Sequence, residues 1–492
     1  MAVPRSILSP QLLPASIAIF TTVAIVAFEG LAITAALPDL AAELGDVALL
    51  PWVITAFLLS SAVATAVTGA FIDSLGTSTV FRWATVGFAL ASLVAAVAPS
   101  MWVLVASRIL QGASGGAIIS VGIAAVALVY PPHLTGRALA ANSNVWGLLG
   151  FASPAIAAAM LEFGSWRWIF LLMVPICLVA LAAGWKTLPH AVQPGTLHVD
   201  WVSVALLILT VGLALGAVSD IAPTSLLLAG AGVGAGALLW RRAGSQPAPL
   251  VDPRFMRAFP YGHLAVSASL ILAAMGGLSA YLPIYVRGGR GGSAAVAAWS
   301  VLWLTIGWTV AANVAGRVTD RVSERSVLRV GATTAPIAIL VAWVAVSTAA
   351  PLPLVFAAFF FMGTAVGTVT NAALQLVRHA APANLAGRAT SAHAFLRTMG
   401  MSLGAGLVGG VILAVVAARL PDVSQVRDAL AGEATDLSGG AAAALADGFA
   451  IAHLVALGLT LLAAVVSWRT DEIPRSSRHQ HSDEARQQPG SA

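Results

Sequence analysis

Charge is what this chain has least of. Only 9% of its 492 residues are Asp, Glu, Lys or Arg, where an average soluble domain carries about 25%. A large water-soluble core is thereby excluded. Lysine occurs once, at Lys186, and cysteine once, at Cys177, which leaves no intrachain disulfide and no cysteine-built zinc site. No G-x-x-x-x-G-K-[ST] phosphate loop occurs, so ATP-driven export within this chain is not indicated. The histidines are scattered along the chain, whereas a membrane-embedded enzyme would gather His, Asp or Cys at one face. The net charge of +5 rests on arginines spread through short loops, unlike the single basic stripe of a nucleic-acid binder.

Apolar length is what the chain has instead: 59% of residues are hydrophobic, and the mean hydropathy is +0.91. Length alone suggests roughly three domains, but apolar runs near 20 residues read as membrane spans. Such runs cover 14–37, 50–71, 81–99, 102–129, 139–161, 168–186, 201–219 and 222–240. After a basic stretch from Arg241 to His263 come 264–286, 295–316, 330–350, 353–377, 390–418 and 447–468, so fourteen helices are expected. An even number places both termini on one side. With the N-terminus inside, the inner segments hold 18 Lys and Arg and the outer segments five, namely Arg167, Arg287, Arg290, Arg419 and Arg427. That bias puts both ends in the cytoplasm. The first run has only Arg5 before it and no clear cleavage site after it, so it reads as a retained helix rather than a signal peptide. The stretch Arg419 to Gly440 reads as an outer surface loop. The polar tail after Arg469, with His479 and His481, reads as disordered and solvated. The expected organisation is a six-helix bundle over 1–186, two linker helices and a cytoplasmic loop over 187–262, a second six-helix bundle over 263–468, and the tail 469–492.

A short pattern repeats. Gly69-Ala-Phe-Ile-Asp73-Ser-Leu-Gly76 follows the second run, and Gly316-Arg-Val-Thr-Asp320-Arg321-Val-Ser follows the tenth. The shared G-x-x-x-D recurs 247 residues apart, at the same end of the second helix of each six-helix set. Two related halves are the pattern of secondary transporters, which bind substrate at the interface of the halves near the midplane. Three further strings occur in order: Phe28-Glu29-Gly-Leu-Ala-Ile-Thr-Ala-Ala-Leu-Pro38, Arg108-Ile-Leu-Gln111-Gly112, and Ser165-Trp166-Arg167-Trp168-Ile169-Phe170 with Val174-Pro175.

With these motifs the sequence resembles the major facilitator superfamily, specifically its 14-span drug:proton antiporter branch. In that branch the first-helix motif L-D-x-T-I-V-N-V-A-L-P has Asp where this chain has Glu29. The resemblance implies an all-α polytopic membrane protein with the major facilitator fold, two six-helix bundles plus two inserted helices. It implies an interdomain gate of Gly69, Asp73, Gly76, Gly316 and Asp320, with Arg321 and Arg325 as available partners. It also implies an antiporter motif on the fifth helix at Gly147, Gly150, Ser153 and Pro154. Two departures stand out. Thr77 and Ser78 occupy positions where basic residues usually follow Gly76, and Ser153-Pro154 with Ala157-Ala158 replace Gly-Pro and Gly-Gly. As bare chemistry, Asp73 and Asp320 are helix-end carboxylates able to cap the following loop.

A charge at the centre of a membrane helix costs about 2.5–3.5 kcal/mol on insertion scales, so Glu29, Arg108 and Arg397 each need a reason. At about 1.5 Å per residue, Glu29 lies about 12 Å and Arg108 about 8–9 Å from the outer surface, and the two can pair if their helices are neighbours. Two readings stay open: a titrating Glu29 whose state a moving Arg108 or an arriving cation switches, and a permanent ion pair that locks two helices. Arg108 itself does not deprotonate. Arg397 lies about 13 Å from the inner end of its helix. His393, one turn earlier, can titrate near neutral pH or simply meet water at the interface. Asn144, Trp146, Asn371 and Arg397 are candidates for a substrate cavity, although in-span Asn often bridges helices and Trp often anchors at the interface.

The expected activity is proton-coupled efflux of amphipathic or cationic small molecules by alternating access in the cell membrane. The proton gradient drives it, with no cofactor and no metal. The expected partners are substrate, protons and membrane lipids, with no nucleic acid and a monomer as the working unit. Export of a lipid or an endogenous secondary metabolite by the same fold is the alternative; a polytopic enzyme or a sensor is a third.

Overall fold

Apolar runs of this length leave the backbone no water to bond, and an α-helix satisfies every N–H and C=O within one segment. The computed structural model describes residues 4, 6–46, 49–189, 200–219, 223–246, 249, 261–319, 321–380, 386–420 and 439–469. The described residues form fourteen α-helices and no strand. The first half holds α1 (Leu13–Leu44), α2 (Leu50–Leu75), α3 (Thr77–Ala96), α4 (Met101–Val129), α5 (Pro132–Phe163) and α6 (Arg167–Gly184). Then come α7 (Trp201–Ser219) and α8 (Pro223–Ser245). The second half holds α9 (Tyr261–Ile284), α10 (Ala294–Val318), α11 (Glu324–Ser347), α12 (Leu352–Ala380), α13 (Ala386–Arg419) and α14 (Gly439–Trp468). The stretch 421–438, the tail from 470 and Asp320 lie outside the described residues.

Several helices outrun their apolar cores because local signals set their ends. Pro132 opens α5 at a position where its missing N–H costs nothing. Ser100, Ser293 and Ser323 accept backbone N–H bonds at the starts of α4, α10 and α11. By length and composition, eleven helices can cross a membrane, or twelve when α5 is counted with its bend. The fourteen expected spans exceed that number. In α7 only Trp201–Ala214 forms an apolar stretch, shorter than a full span. α5 bends by 42° between His133–Gly150 and Ala155–Glu162, the interval that contains Pro154, as a proline inside a helix dictates.

Each half has its own apolar core. Ile19, Phe81, Phe88 and Phe170 centre the first; Leu278, Tyr285, Phe359 and Phe449 centre the second. The halves pack alike. On α4, Gly112 and Gly116 lie so close to α2 that an added Cβ would strike the carbonyl oxygens of Phe57 and Ser61. On α12, Gly363 and Gly367 stand in the same relation to Leu304 and Trp308 of α10. The second pair of carbonyls lies 247 residues after the first, the spacing of the G-x-x-x-D repeat, and the glycines lie 251 residues apart. Small residues are what let membrane helices approach this closely. The repeat is therefore one of three-dimensional packing as well as of letters.

The halves meet through α5 against α10 and α2 against α13. Gly136 and Gly316 face each other so tightly that a Cβ on either would come within 2.7–2.8 Å of the other's carbonyl oxygen. Farther along, Gly147 packs on Thr309 and Gly150 on Thr305. On the other seam Ala62, Val63, Ala66 and Val67 of α2 share a cluster with Phe395 and Met399 of α13 and with Val204, Leu207 and Val211 of α7. The inserted hairpin α7–α8 thus lies against both halves. Its open end is tied by Arg242, which donates to Asp200 at 2.6 and 3.0 Å. Arg242 and Ser203 hold the Asp200 carboxyl far below the usual carboxylate range. The tie therefore persists at neutral pH and is lost only in strong acid.

Candidate functional site

The packing of α4 on α2 places the first site. Because Gly112 brings α4 against α2, Arg108, one turn earlier, reaches back to donate from Nε to the Val53 carbonyl at 2.9 Å. Its Nη1 donates to Glu29 on α1, forming an ion pair, and to Gln111 Oε1 at 2.8 Å. Gln111 donates onward to Ser92 on α3 at 2.9 Å, and Ser92 donates to the Phe88 carbonyl at 2.8 Å. Glu29, Arg108, Gln111 and Ser92 are all buried. The guanidinium also lies over the Phe57 ring at 4.4 Å and the Phe170 ring at 6.0 Å, a favourable place for a desolvated cation. R-x-x-Q-G is thus a working unit: the glycine permits contact, the arginine crosses to two helices, and the glutamine relays to a third.

One atom is left over. Glu29 Oε2 is buried and has no hydrogen-bond partner. A buried carboxylate oxygen normally accepts bonds, so this is where a proton would sit at least cost. The equivalent place in the second half holds an aromatic side chain instead of an arginine. The 251-residue shift carries Arg108 onto Phe359, which stacks with Phe449 at 6.5 Å and meets His453 edge-on at 6.1 Å. The polar centre of one half is replaced by an aromatic centre in the other.

The second group of expected residues divides. Asn144 and Asn313 join their side-chain amides across the α5–α10 seam, and Thr309 donates to the Ser143 carbonyl at 3.3 Å. Asn144 therefore bridges the halves. Asn371 is buried in α12, donates to the Ala312 carbonyl of α10 at 3.2 Å and accepts from Gln375 at 2.7 Å. Trp146 is exposed. Gly147 and Gly150 are seam contacts, and Ser153 is buried with its hydroxyl unpartnered. His393 is buried with neither ring nitrogen bonded, and Arg397 follows it one turn later with Nε unbonded. Gly76 has φ 81° and ends α2 while starting α3, so the left-handed backbone there favours glycine. Asp73 is half-buried near the end of α2, and Arg321 is exposed. Gly316 of the second motif is the residue packed on Gly136.

Other residues with partners stand out only in three dimensions. Trp166 Nε1 and Arg167 Nη1 both donate to Glu43 near the C-terminal end of α1, at 2.6 and 2.5 Å. This explains the W-R of the sixth-helix motif: it ties α6 to α1, and these two bonds hold the Glu43 carboxyl below its ordinary range. His453 is a second fully buried histidine inside a helix, with Nδ1 2.8 Å from the Phe449 carbonyl. A cavity of about 730 Å³ lies between α2, α3, α4 and α7, lined by Trp52, Phe71, Trp83 and Trp201 among other apolar groups. None of the expected site residues lines it. Among the described residues no group of three His, Cys, Asp or Glu is placed to hold a metal.

Comparison with known proteins agrees with this architecture. The family model of the Major Facilitator Superfamily matches residues 18–405. The Uncharacterized transporter YebQ of Escherichia coli (strain K12) is 31% identical over 268 residues, 53% of this chain and 58% of that protein. The Probable multidrug-efflux transporter Rv1634 of Mycobacterium tuberculosis (strain ATCC 25618 / H37Rv) is 36% identical over 155 residues, 30% of this chain and 33% of that protein. The matched stretch thus spans between a third and three-fifths of these relatives. Among solved structures, the human organic anion transporter MFSD10 (TETRAN) superposes with a TM-score of 0.63 at 16% identity, covering 93% of this chain and all of that one. That likeness concerns the fold alone. Paired halves, glycine-packed helices, the motifs in their order and the family match over most of the chain lead to one conclusion: this integral membrane protein belongs to the major facilitator superfamily.

Proposed function

We propose that the protein is a proton-coupled exporter of amphipathic or cationic small molecules, working by alternating access with fourteen spans in the cell membrane. The observation that carries this reading is the Glu29–Arg108 pair, a carboxylate buried inside the first half with one oxygen unbonded. An ionisable group within the membrane defaults to function, and here the network gives it a place to gain and lose a proton. His393 is a second candidate. The name of the Mycobacterium tuberculosis relative supports efflux of drugs as the direction and cargo. The alternative cargo is a lipid or an endogenous metabolite, and the apolar groove beside α7 suits lipid contact. The test is transport in proteoliposomes. An imposed pH gradient should drive uphill movement of a lipophilic cation, and a protonophore should abolish it. Flux indifferent to the gradient would remove proton coupling.

The arginine bias assigns the α2 C-terminus and the α5 N-terminus to the cytoplasm. In that orientation the Gly136–Gly316 contact closes the cytoplasmic side, an outward-facing state. Topology is tested by single-cysteine labelling in a Cys177→Ala background. Cysteines within 241–262 should react from the cytoplasmic side and those within 419–446 from outside. Labelling of 419–446 only from inside would end the fourteen-span arrangement.

The gate has its own test. If Asp73 and Asp320 hold the inner side shut, Asp73→Asn should raise cytoplasmic accessibility near Gly69 and lower transport. The larger effect is expected for Asp320→Asn, because Thr77 and Ser78 leave Asp73 without the basic followers usual after Gly76, while Arg321 and Arg325 stand near Asp320 in sequence. Equal and negligible effects would mean that the carboxylates only cap helix ends.

A further inference from the structure

Glu29 and Arg108 pair with each other deep in the first half, and a further deep cation, in the second half, is left to explain. Arg397 on α13 forms no ion pair with a described carboxylate, and its Nε is unbonded. His393 lies one turn below on the same face, buried, with both ring nitrogens unbonded. Along that face burial gives way to exposure. Ala389 and His393 are buried, Arg397 keeps part of its surface accessible, and Met401 is 48% exposed. Met401 packs over Gly276 of α9, which is itself partly accessible, as is Ala273 one turn before it. The other sides of α9 are covered by α10, α12, α13 and α14. The seam between α9 and α13 is therefore accessible at Met401, Gly276 and Ala273, with Arg397 and the buried His393 at its closed end.

A guanidinium held deep in the bundle with only part of its surface accessible is favoured by a counter-charge, because a cation left single in such a place is unfavourable. Arginine is also always protonated and offers a planar fork that matches a carboxylate or sulfonate. We propose that Arg397 and His393 form an anion subsite at the base of this seam, which binds the acidic group of an amphipathic organic substrate whose apolar body lies along Met401 and Gly276. The proposal rests on the export reading and specifies, within its amphipathic cargo, molecules that carry one acidic group beside an apolar body. His393 supplies an N–H from one ring nitrogen to the same anion, which satisfies a donor that has no partner among the described residues.

The experiment uses the full chain in lipid nanodiscs in a low-salt Tris buffer free of carboxylate and sulfonate ions, titrated calorimetrically with biphenyl-4-carboxylate and with the neutral biphenyl-4-carboxamide. A hydrogen-bonded charge pair should make the carboxylate at least about tenfold tighter than the amide. In Arg397→Gln that preference should vanish while amide affinity stays within about twofold, the check that the cavity is intact. Arg397→Lys, which keeps the charge but not the fork, should retain part of it and serves if the Gln variant does not assemble. Equal binding of both probes to the unaltered protein overturns the proposal. So does stabilisation by chloride alone with no further gain from the carboxylate, since that is an inorganic ion site. Binding needs no proton gradient, so the two readings can fail separately. Carboxylate preference without gradient-driven flux removes proton coupling and keeps the subsite; flux without preference does the reverse.

Discussion

Glu29→Gln should abolish uphill transport in proteoliposomes. A pH difference of one unit is worth about 1.4 kcal/mol per proton, which sustains about a tenfold substrate ratio. The unaltered protein should approach that ratio, and Glu29→Gln should settle near unity. The substitution keeps the size of the side chain and its ability to accept from Arg108, so the helices stay packed while the titrating oxygen is lost. A neutral substrate should still bind, and a cationic one should bind less well because the carboxylate charge is gone. Glu29→Asp should keep much of the activity: it retains the acid, and the family's first-helix motif has Asp at this place. Undiminished uphill transport by Glu29→Gln would remove Glu29 from the coupling and leave His393 as the group to test.

Arg108→Ala should be the most destabilising single change in the first half. It removes the donor to Glu29, Gln111 and the Val53 carbonyl together, and it opens a void over the Phe57 ring. Breaking a buried pair by deleting one partner costs about 3–5 kcal/mol, because the remaining charge is left without compensation. Glu29→Gln should cost much less, since the amide still accepts from Arg108. Adding Glu29→Gln to Arg108→Ala should then recover part of the loss, as expected of residues in one network. Thermal unfolding in detergent, followed for the two single variants and the double variant, measures this. Independent, additive losses would mean that the pair does not act as a unit.

The contrast between the halves gives these two predictions their direction. The glycine packing that holds Arg108 over α2 is repeated at Gly363 and Gly367, yet the position matching Arg108 is Phe359, within the aromatic cluster of Tyr285, Phe449 and His453. The same backbone arrangement thus supports a polar network in one half and a stacked apolar core in the other.

Much of the fold was legible in the chain because its signals are local. Hydropathy marks each helix through the cost of unbonded backbone in lipid, and the G-x-x-x-D repeat marks the two halves through the glycines that helix crossings require. That Glu29 and Arg108 could meet was also legible, since helix rise puts them at similar depth, on the condition that their helices are neighbours. Rotation about the helix axis is not a local property, and there the sequence was silent. Only packing decides that Asn144 turns to Asn313 across the seam, that Gln111 and Ser92 extend the ion pair, and that Trp166 and Arg167 converge on Glu43. It also decides that His453 is enclosed by aromatic rings, while His393 and Arg397 are left without partners. The number of crossings is the part that hydropathy left open: eleven or twelve of the described helices have the length and composition of a span, and α7, read as a span in the chain, packs over the seam between α2 and α13. Composition determined that this chain lives in a membrane, and repeated glycines determined that it has two halves. Which charges meet, and which are left waiting for a ligand, is set by how fourteen helices turn toward one another, because side-chain direction depends on every neighbour at once.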